Sequence, residues 1–139
     1  MMNTSYEKII QRYFDEVWNQ GRLEVLDEII APDYINHSPG LPDPLPGPVG
    51  LKPIVAAMRE AFPDLHYEVH DLVVGEGKVA VRCTLTGTHQ GDFFGIAPTG
   101  RPVRASQFQI EYIRDGQIVE HWRQTDDLGL RQQLGLLRE

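Results

Sequence analysis

The segment EHWRQTDD, residues 120–127, places groups that can transfer protons where a predicted strand meets a predicted helix. The imidazole of His121 and the carboxyl group of Asp126 could act together as an acid and a base. A helix that begins near residue 128 needs one side chain to accept from its free backbone N–H groups, and Asp127 can fill that role. Asp126 is then expected to face the interior. In the alternative interpretation, Asp126 caps the helix and Asp127 lies in solvent.

The last two predicted strands, 102–114 and 117–124, indicate which way His121 faces. They join across Asp115-Gly116, a pair of residues typical of a hairpin turn. In the simplest register Ile110 lies opposite His121, on a face that also holds Phe108 and is richer in apolar groups. We therefore expect His121 to point into the core, although a slip of one residue would exchange the two faces. The opposite face would carry Glu111, Gln109, Gln107, Glu120 and Trp122.

Helices precede strands in the predicted order of elements. Helical spacing of apolar residues predicts helices over 4–21, 22–32 and 50–62, and a closing helix over 126–137. From residue 65 the hydrophobic period changes to two, which predicts strands over 65–74, 78–88, 102–114 and 117–124. Helices followed by mostly antiparallel strands predict an α+β fold, in which a curved sheet is covered on one face by helices. A hollow between the sheet and the helices would hold a ligand.

A proline-rich stretch separates the second predicted helix from the third. Residues 31–48 hold six of the ten prolines, a density that opposes a regular helix or a central strand. We expect a stiff, extended loop that serves as a wall or lid, since a loop of this length inside a compact domain is uncommon without a function.

Composition limits the classes of function. A chain of 139 residues fits one domain, residues 1–139, and a net charge of −7 with scattered Lys and Arg argues against nucleic acid as a partner. No apolar run is long enough for a membrane span and no secretory signal is evident, so we expect a cytoplasmic protein. Cys83 is the only cysteine, which excludes an internal disulfide. His66 and His70 would share one face of a strand, but the sequence places no further metal ligand beside them.

Several segments resemble one known family. GTHQGDFFGIAPTGRPV, DGQIVEHW with Asp126 four residues after the tryptophan, and LGLRQQLG are similar to the SnoaL-like polyketide cyclases of the NTF2-like superfamily. The resemblance implies a cone-shaped α+β barrel with a deep pocket, a homodimer or homotetramer, and no metal or cofactor. It also implies that Asp126 is the general acid and base of an intramolecular aldol ring closure on a hydrophobic, carbonyl-bearing small molecule.

The same resemblance implies that polar groups surround Asp126, namely Asn36 or His37, Gln107 or its neighbours, and His121. Gln107 falls on the face that the simplest register turns outward, so either the register or this implied role is wrong. The candidate catalytic residues are therefore Asp126 and His121, and the candidate substrate contacts are Tyr13, Asn36, His37, Arg104, Gln107, Phe108 and Trp122. An isomerase or hydratase with the same pocket, or a module that binds a ligand without catalysis, are the alternatives.

Overall fold

The computed structural model describes residues 2–40 and 42–136. Its helices are α1 (Met2–Arg12), which continues into a π-helical turn (Tyr13–Trp18), a 3-10 turn (Leu23–Val25), α2 (Leu26–Ile29), α3 (Gly47–Ala61) and α4 (Asp127–Gln133). Its strands are β1 (Ile30–Asn36), β2 (His66–Gly75), β3 (Lys78–Thr88), β4 (Pro102–Arg114) and β5 (Gln117–Thr125). Among these described residues, none of the helices combines the length and the apolar composition that crossing a membrane requires.

The five strands form one open sheet in the order β1-β5-β4-β3-β2. All neighbouring strands are antiparallel except β1 and β5, which are parallel. The α+β fold predicted from the order of helices and strands is confirmed, with a mixed but mostly antiparallel sheet. We call the sheet face that carries the buried residues the inner face, and the opposite one the outer face.

The prediction of a loop is wrong for the N-terminal part of the proline-rich stretch, because residues 30–36 form an edge strand. Pro32 is tolerated there since an edge strand pairs on one side only. The pairing with β5 is regular only from Ile35, which lies opposite Glu120, and Asn36, which lies opposite His121. Helix α3 also begins earlier than predicted, at Gly47, with Pro48 in its first turn where a missing N–H costs least.

Two other predicted helices are shorter in the structure. The segment 22–32 forms only a 3-10 turn and the single turn of α2 before the chain enters β1. Helix α4 ends at Gln133, and the predicted helix end at residue 137 lies outside the described residues.

The predicted pairing of β4 with β5 is correct beside the turn and wrong beyond it. Arg114 lies opposite Gln117 and Ile113 opposite Ile118, but a bulge then shifts the register by one residue. His121 is consequently opposite Glu111, and Ile110 is opposite Trp122. A bulge places one extra residue in one strand, so every side chain of β4 beyond it faces the side opposite to the predicted one.

The inner face of β4 is polar at its centre. Val103, Ala105 and Ile113 are buried at its two ends, as a core strand requires. Between them the buried positions are Gln107, Gln109 and Glu111, which are no more than 4% exposed. Burial of polar groups without compensation is unfavourable, so this row indicates a site rather than ordinary core.

Candidate active site

A pocket of about 520 Å³ opens between the inner face of the sheet, α3, the start of α4 and the loop between β3 and β4. Its apolar wall includes Trp18, Ile54, Met58, Tyr67, Leu85, Phe93, Phe94, Ile96 and Leu130. Its polar groups are Gln107, Arg123, Thr125, Asp127 and Arg131. A largely apolar pocket with a few convergent polar groups is typical of a small-molecule site.

The inner face of the sheet continues beyond the pocket wall into a fully buried acid and base pair. Glu111 is 0% and His121 1% exposed, and Nδ1 of His121 lies 2.8 Å from each carboxylate oxygen. The two residues are direct partners across β4 and β5. On the inner face, the next side chain toward the pocket is Gln109 on β4 and Arg123 on β5. Successive side chains on one face of a strand are about 7 Å apart, so the pair lies immediately below Arg123.

A short hydrogen-bonded chain extends this polar row toward the pocket. Gln109 donates through Nε2 to Oε1 of Gln107 over 2.7 Å, and Gln107 reaches the pocket wall. Oε1 of Gln109 and the hydroxyl of Tyr34 are buried with no hydrogen-bond partner among the described residues. Buried polar atoms are nearly always bonded to protein or water, so these two atoms mark where a polar ligand atom or water would fit.

Tyrosines near the pair are neutral hydrogen-bonding groups. Burial raises the pKa of Tyr34 far above its usual range, and burial followed by the charge of Glu111 does the same for Tyr13. Burial raises the pKa of Tyr67 to about 12, an effect that the positive charge of Arg123 reduces. These phenols therefore keep their protons at neutral pH and can donate hydrogen bonds.

Asp126 does not occupy the position predicted for it. It is the exposed N-cap of α4, and its Oδ1 accepts from the backbone N–H of Gly129 at 3.0 Å. The inward orientation is therefore wrong, and the alternative interpretation, in which Asp126 caps the helix, is the one that the structure has. Asp127 is exposed as well, but it lines the pocket.

Four predicted substrate contacts lie on the outer face or at its edge. His37 stacks on Trp122 with ring centroids 4.0 Å apart and contacts Glu120 through Nε2 at 2.9 Å. Phe108 is 62% exposed, and Arg104 is exposed with its backbone bonded to Gln133. None of these four side chains lines the pocket, so the expected contacts with a ligand there are wrong. The bulge turns Arg104 and Phe108 outward. Trp122 lies on the outer face, as the simplest register already had it, and His37 stacks on Trp122.

The remaining predicted contacts face inward. Gln107 lines the pocket, so the register that placed it outward was wrong, and its contact with a substrate stays a prediction. Asn36 is half-buried beside His121, and its Oδ1 accepts from the backbone N–H of Ser38. Tyr13 is buried in the π-helical turn. His70, in contrast, is bonded to Thr84 on the sheet surface.

Sequence reasoning missed Glu111, Arg123 and Tyr34. Only the bulge brings Glu111 opposite His121. Choosing the face with more apolar residues as the core face assigns Glu111 to solvent. Tyr34 lay within the segment predicted as loop. A signal was nonetheless present for Glu111, since a Gln-x-Gln-x-Glu series in the middle of a long strand is a regular polar alternation.

Comparison with known proteins identifies the relatives of this chain. Residues 8–134 match the family described as SnoaL-like polyketide cyclase. Aklanonic acid methyl ester cyclase DnrD of Streptomyces peucetius is 31% identical over 126 residues, which cover 86% of this chain and 84% of that protein.

Two solved structures show the same fold. TsrD from Streptomyces laurentii superposes with a TM-score of 0.88 at 29% identity and covers 96% of this chain and 97% of its own. IdmH from Streptomyces antibioticus gives a TM-score of 0.78 at 37% identity, with coverage of 93% and 97%.

Proposed function

Because the chain belongs to the SnoaL-like polyketide cyclase family, we propose that it closes a ring in a carbonyl-bearing, polyketide-like small molecule by an intramolecular aldol reaction. The observation that supports this most is the buried pair of Glu111 and His121, one step along the sheet from the pocket wall. An aldol closure needs a base, an acid and a site without bulk water, and this arrangement offers all three.

His121 is the proton carrier in this proposal. Glu111 holds Nδ1–H of the imidazole, which leaves the lone pair of Nε2 free to remove a proton from the carbon between two carbonyl groups. The imidazolium that forms is stabilised by the adjacent carboxylate, since a buried charge requires a partner. Glu111 does not contact substrate and is a positioning residue.

The ring closes when the enolate carbon attacks a second carbonyl carbon. One C–H bond breaks, one C–C bond forms, and the carbonyl oxygen becomes an alkoxide that takes the proton back from His121. The hydroxyl of Tyr34, which has no other partner among the described residues, can donate to the developing oxyanion. The product is an isomer of the substrate, and no co-reactant is consumed.

Two variants test these roles. The wild type is expected to convert aklanonic acid methyl ester, or the corresponding free acid, into a cyclised isomer that chromatography separates from the substrate. His121→Asn should lower kcat at least about a hundredfold with KM nearly unchanged, since general acid and base catalysis contributes that much. Glu111→Gln should lower kcat less and shift the pH profile, because it removes the charge that stabilises the imidazolium.

The control is His70→Asn on the sheet surface, which should keep full activity. Circular dichroism melts of each variant separate loss of chemistry from loss of folding. Binding of both substrates without turnover by the wild type would instead support a binding module, and full activity of His121→Asn would remove His121 from the mechanism.

We also propose that the chain works as a single cytoplasmic domain and as a homodimer that pairs through the outer face. Three large apolar side chains, Phe108, Ile110 and Trp122, are 40% or more exposed there. Such a group is unusual on a monomer and common at subunit interfaces.

The strand register supports a particular pairing. On the outer face, Ala80, Ile110 and Trp122 lie side by side on β3, β4 and β5. Lys78, Tyr112 and Glu120 form the neighbouring row on the same three strands. A twofold axis parallel to β4 places β5 of one subunit over β3 of the other, so the two ends of each row face each other across the interface. Trp122 then meets Ala80 of the partner subunit, and Glu120 meets Lys78 of the partner subunit.

A further inference from the structure

Arg123 is a cation in the pocket wall, opposite Gln109 on β4. It is half-buried on the inner face of β5, directly above His121. No ion pair joins it to any carboxylate of the described residues, whereas Arg12, Arg22, Arg82 and Arg114 each have at least one. A partly desolvated charge is costly to leave without a partner, so its surroundings call for an anion.

Two hydrogen bonds to Ser38 hold Arg123 in place without neutralising its charge. Its Nη2 donates to the carbonyl oxygen of Ser38 over 2.6 Å, and its backbone N–H donates to the hydroxyl of Ser38 over 2.9 Å. A guanidinium has five N–H donors, and only one nitrogen has an acceptor among the described residues. The remaining donors are available to a ligand, and the fixed side chain reduces the entropy lost on binding.

The opposite side of the pocket adds a second cation. Arg131 on α4 lines the pocket, and Asp127 one turn earlier is the one carboxylate among the described lining residues. Two guanidinium groups and one carboxylate line the pocket, so the lining has an excess of positive charge. The chain as a whole has a net charge of −7, so the charge of the pocket lining is opposite in sign to that of the whole chain.

We infer that the substrate carries a free carboxylate, which the guanidinium of Arg123 binds while the ring system lies against the apolar wall. This inference rests on the proposed function and specifies its substrate class. It departs from what the name of the relative DnrD states, because a methyl ester is uncharged and cannot form a charge-assisted pair with a guanidinium.

A matched pair of probes tests the charge alone. Anthraquinone-2-carboxylate and its methyl ester share one flat, carbonyl-bearing ring system and differ in the ionised group. Isothermal titration calorimetry at pH 7 and low salt should show that the wild type binds the carboxylate at least about tenfold more tightly, since hydrogen bonds to charged groups are worth that much. Added salt should reduce the preference.

Arg123→Gln should abolish the preference and leave the affinity for the ester unchanged. Arg104→Gln is the control, because this exposed arginine does not line the pocket, and it should keep the preference. Equal binding of the two probes by the wild type, or a preference that persists in Arg123→Gln, would overturn the carboxylate inference and leave the cyclase proposal standing. Failure of both probes to bind would count against the pocket itself, and therefore against both proposals.

Discussion

Two acidic residues near the site have opposite surroundings, and these surroundings assign them different tasks. Glu111 is fully buried and contacts the imidazole of His121, while Asp126 is exposed and contacts a backbone N–H group. A carboxylate at a helix N-terminus interacts favourably with the free N–H groups there, so Asp126 serves the helix. A carboxylate held against an imidazole can instead orient the ring and stabilise its charged form.

Replacement of Asp126 separates capping from catalysis. Asp126→Ala should lower the free energy of unfolding by about 1 kcal/mol, because the N–H of Gly129 loses its acceptor. Asp126→Asn should cost much less, since asparagine caps helices as well as aspartate does. Urea unfolding curves measure both, and turnover by both variants should equal that of the wild type. A stable Asp126→Asn variant without turnover would return Asp126 to the catalytic role that the family resemblance implies.

Residue types alone were enough to select His121 but not to identify its partner. Few imidazole groups in this sequence occupy an inward position of a predicted strand. His121 is one of them, and its burial agrees with the predicted inward orientation. The choice between Asp126 and Asp127 as the cap depends on the residue at which the helix begins. Nothing in the residue types decides it, because both aspartates can accept from the same backbone groups.

Strand β4 shows how an element can invert the pattern that predicts it. Its outer face holds Phe108 and Ile110, and its inner face holds Gln107, Gln109 and Glu111. Hydrophobic alternation assumes that the apolar face is the buried one. This assumption fails where a site needs buried polar groups, and the proposed subunit interface would need exposed apolar ones. Order and type of the elements were predictable, but this facing was not.

The loop between β3 and β4 is fixed to the end of α3 through a close backbone approach. The N–H groups of Gln90 and Gly91 both donate to the carbonyl of Ala61, at 3.0 and 3.1 Å. A Cβ atom at Gly91 would overlap the backbone carbonyl of Glu60. Glycine is therefore required at this position by the distance between two segments of backbone.

Gly91→Ala should accordingly lower the free energy of unfolding by about 1 to 3 kcal/mol, the usual cost of overpacking. It should also weaken ligand binding, because the displaced loop carries Phe93 and Ile96 of the pocket wall. Gly75→Ala is the matched control, since the nearest atom to a Cβ there is 3.7 Å away, and its effect should stay within about 0.5 kcal/mol. Equal stability of the two variants in thermal melts would show that the loop can move away at no cost.

At the scale of the whole molecule, the two faces of one sheet serve two purposes. The inner face carries the pocket and the buried pair, while the outer face carries the apolar group that includes Trp122. Because β4 and β5 contribute to both faces, alternate residues of the same strand belong to the site and to the proposed interface. Burial of Trp122 in a dimer would fix the strand that also holds His121 and Arg123.

Charge exchange across the proposed interface tests its geometry as well as its existence. Light scattering should give the wild type twice the chain mass of 15.8 kDa, and Trp122→Glu should give monomers because a buried carboxylate without a partner is costly. Val49→Glu, at an exposed position of α3 and not on the sheet, should remain dimeric. Glu120→Lys should weaken the dimer by placing two lysines together, and the double variant Lys78→Glu, Glu120→Lys should restore it. A double variant no tighter than Glu120→Lys would reject the axis along β4, and a monomeric wild type at micromolar concentration would reject the interface.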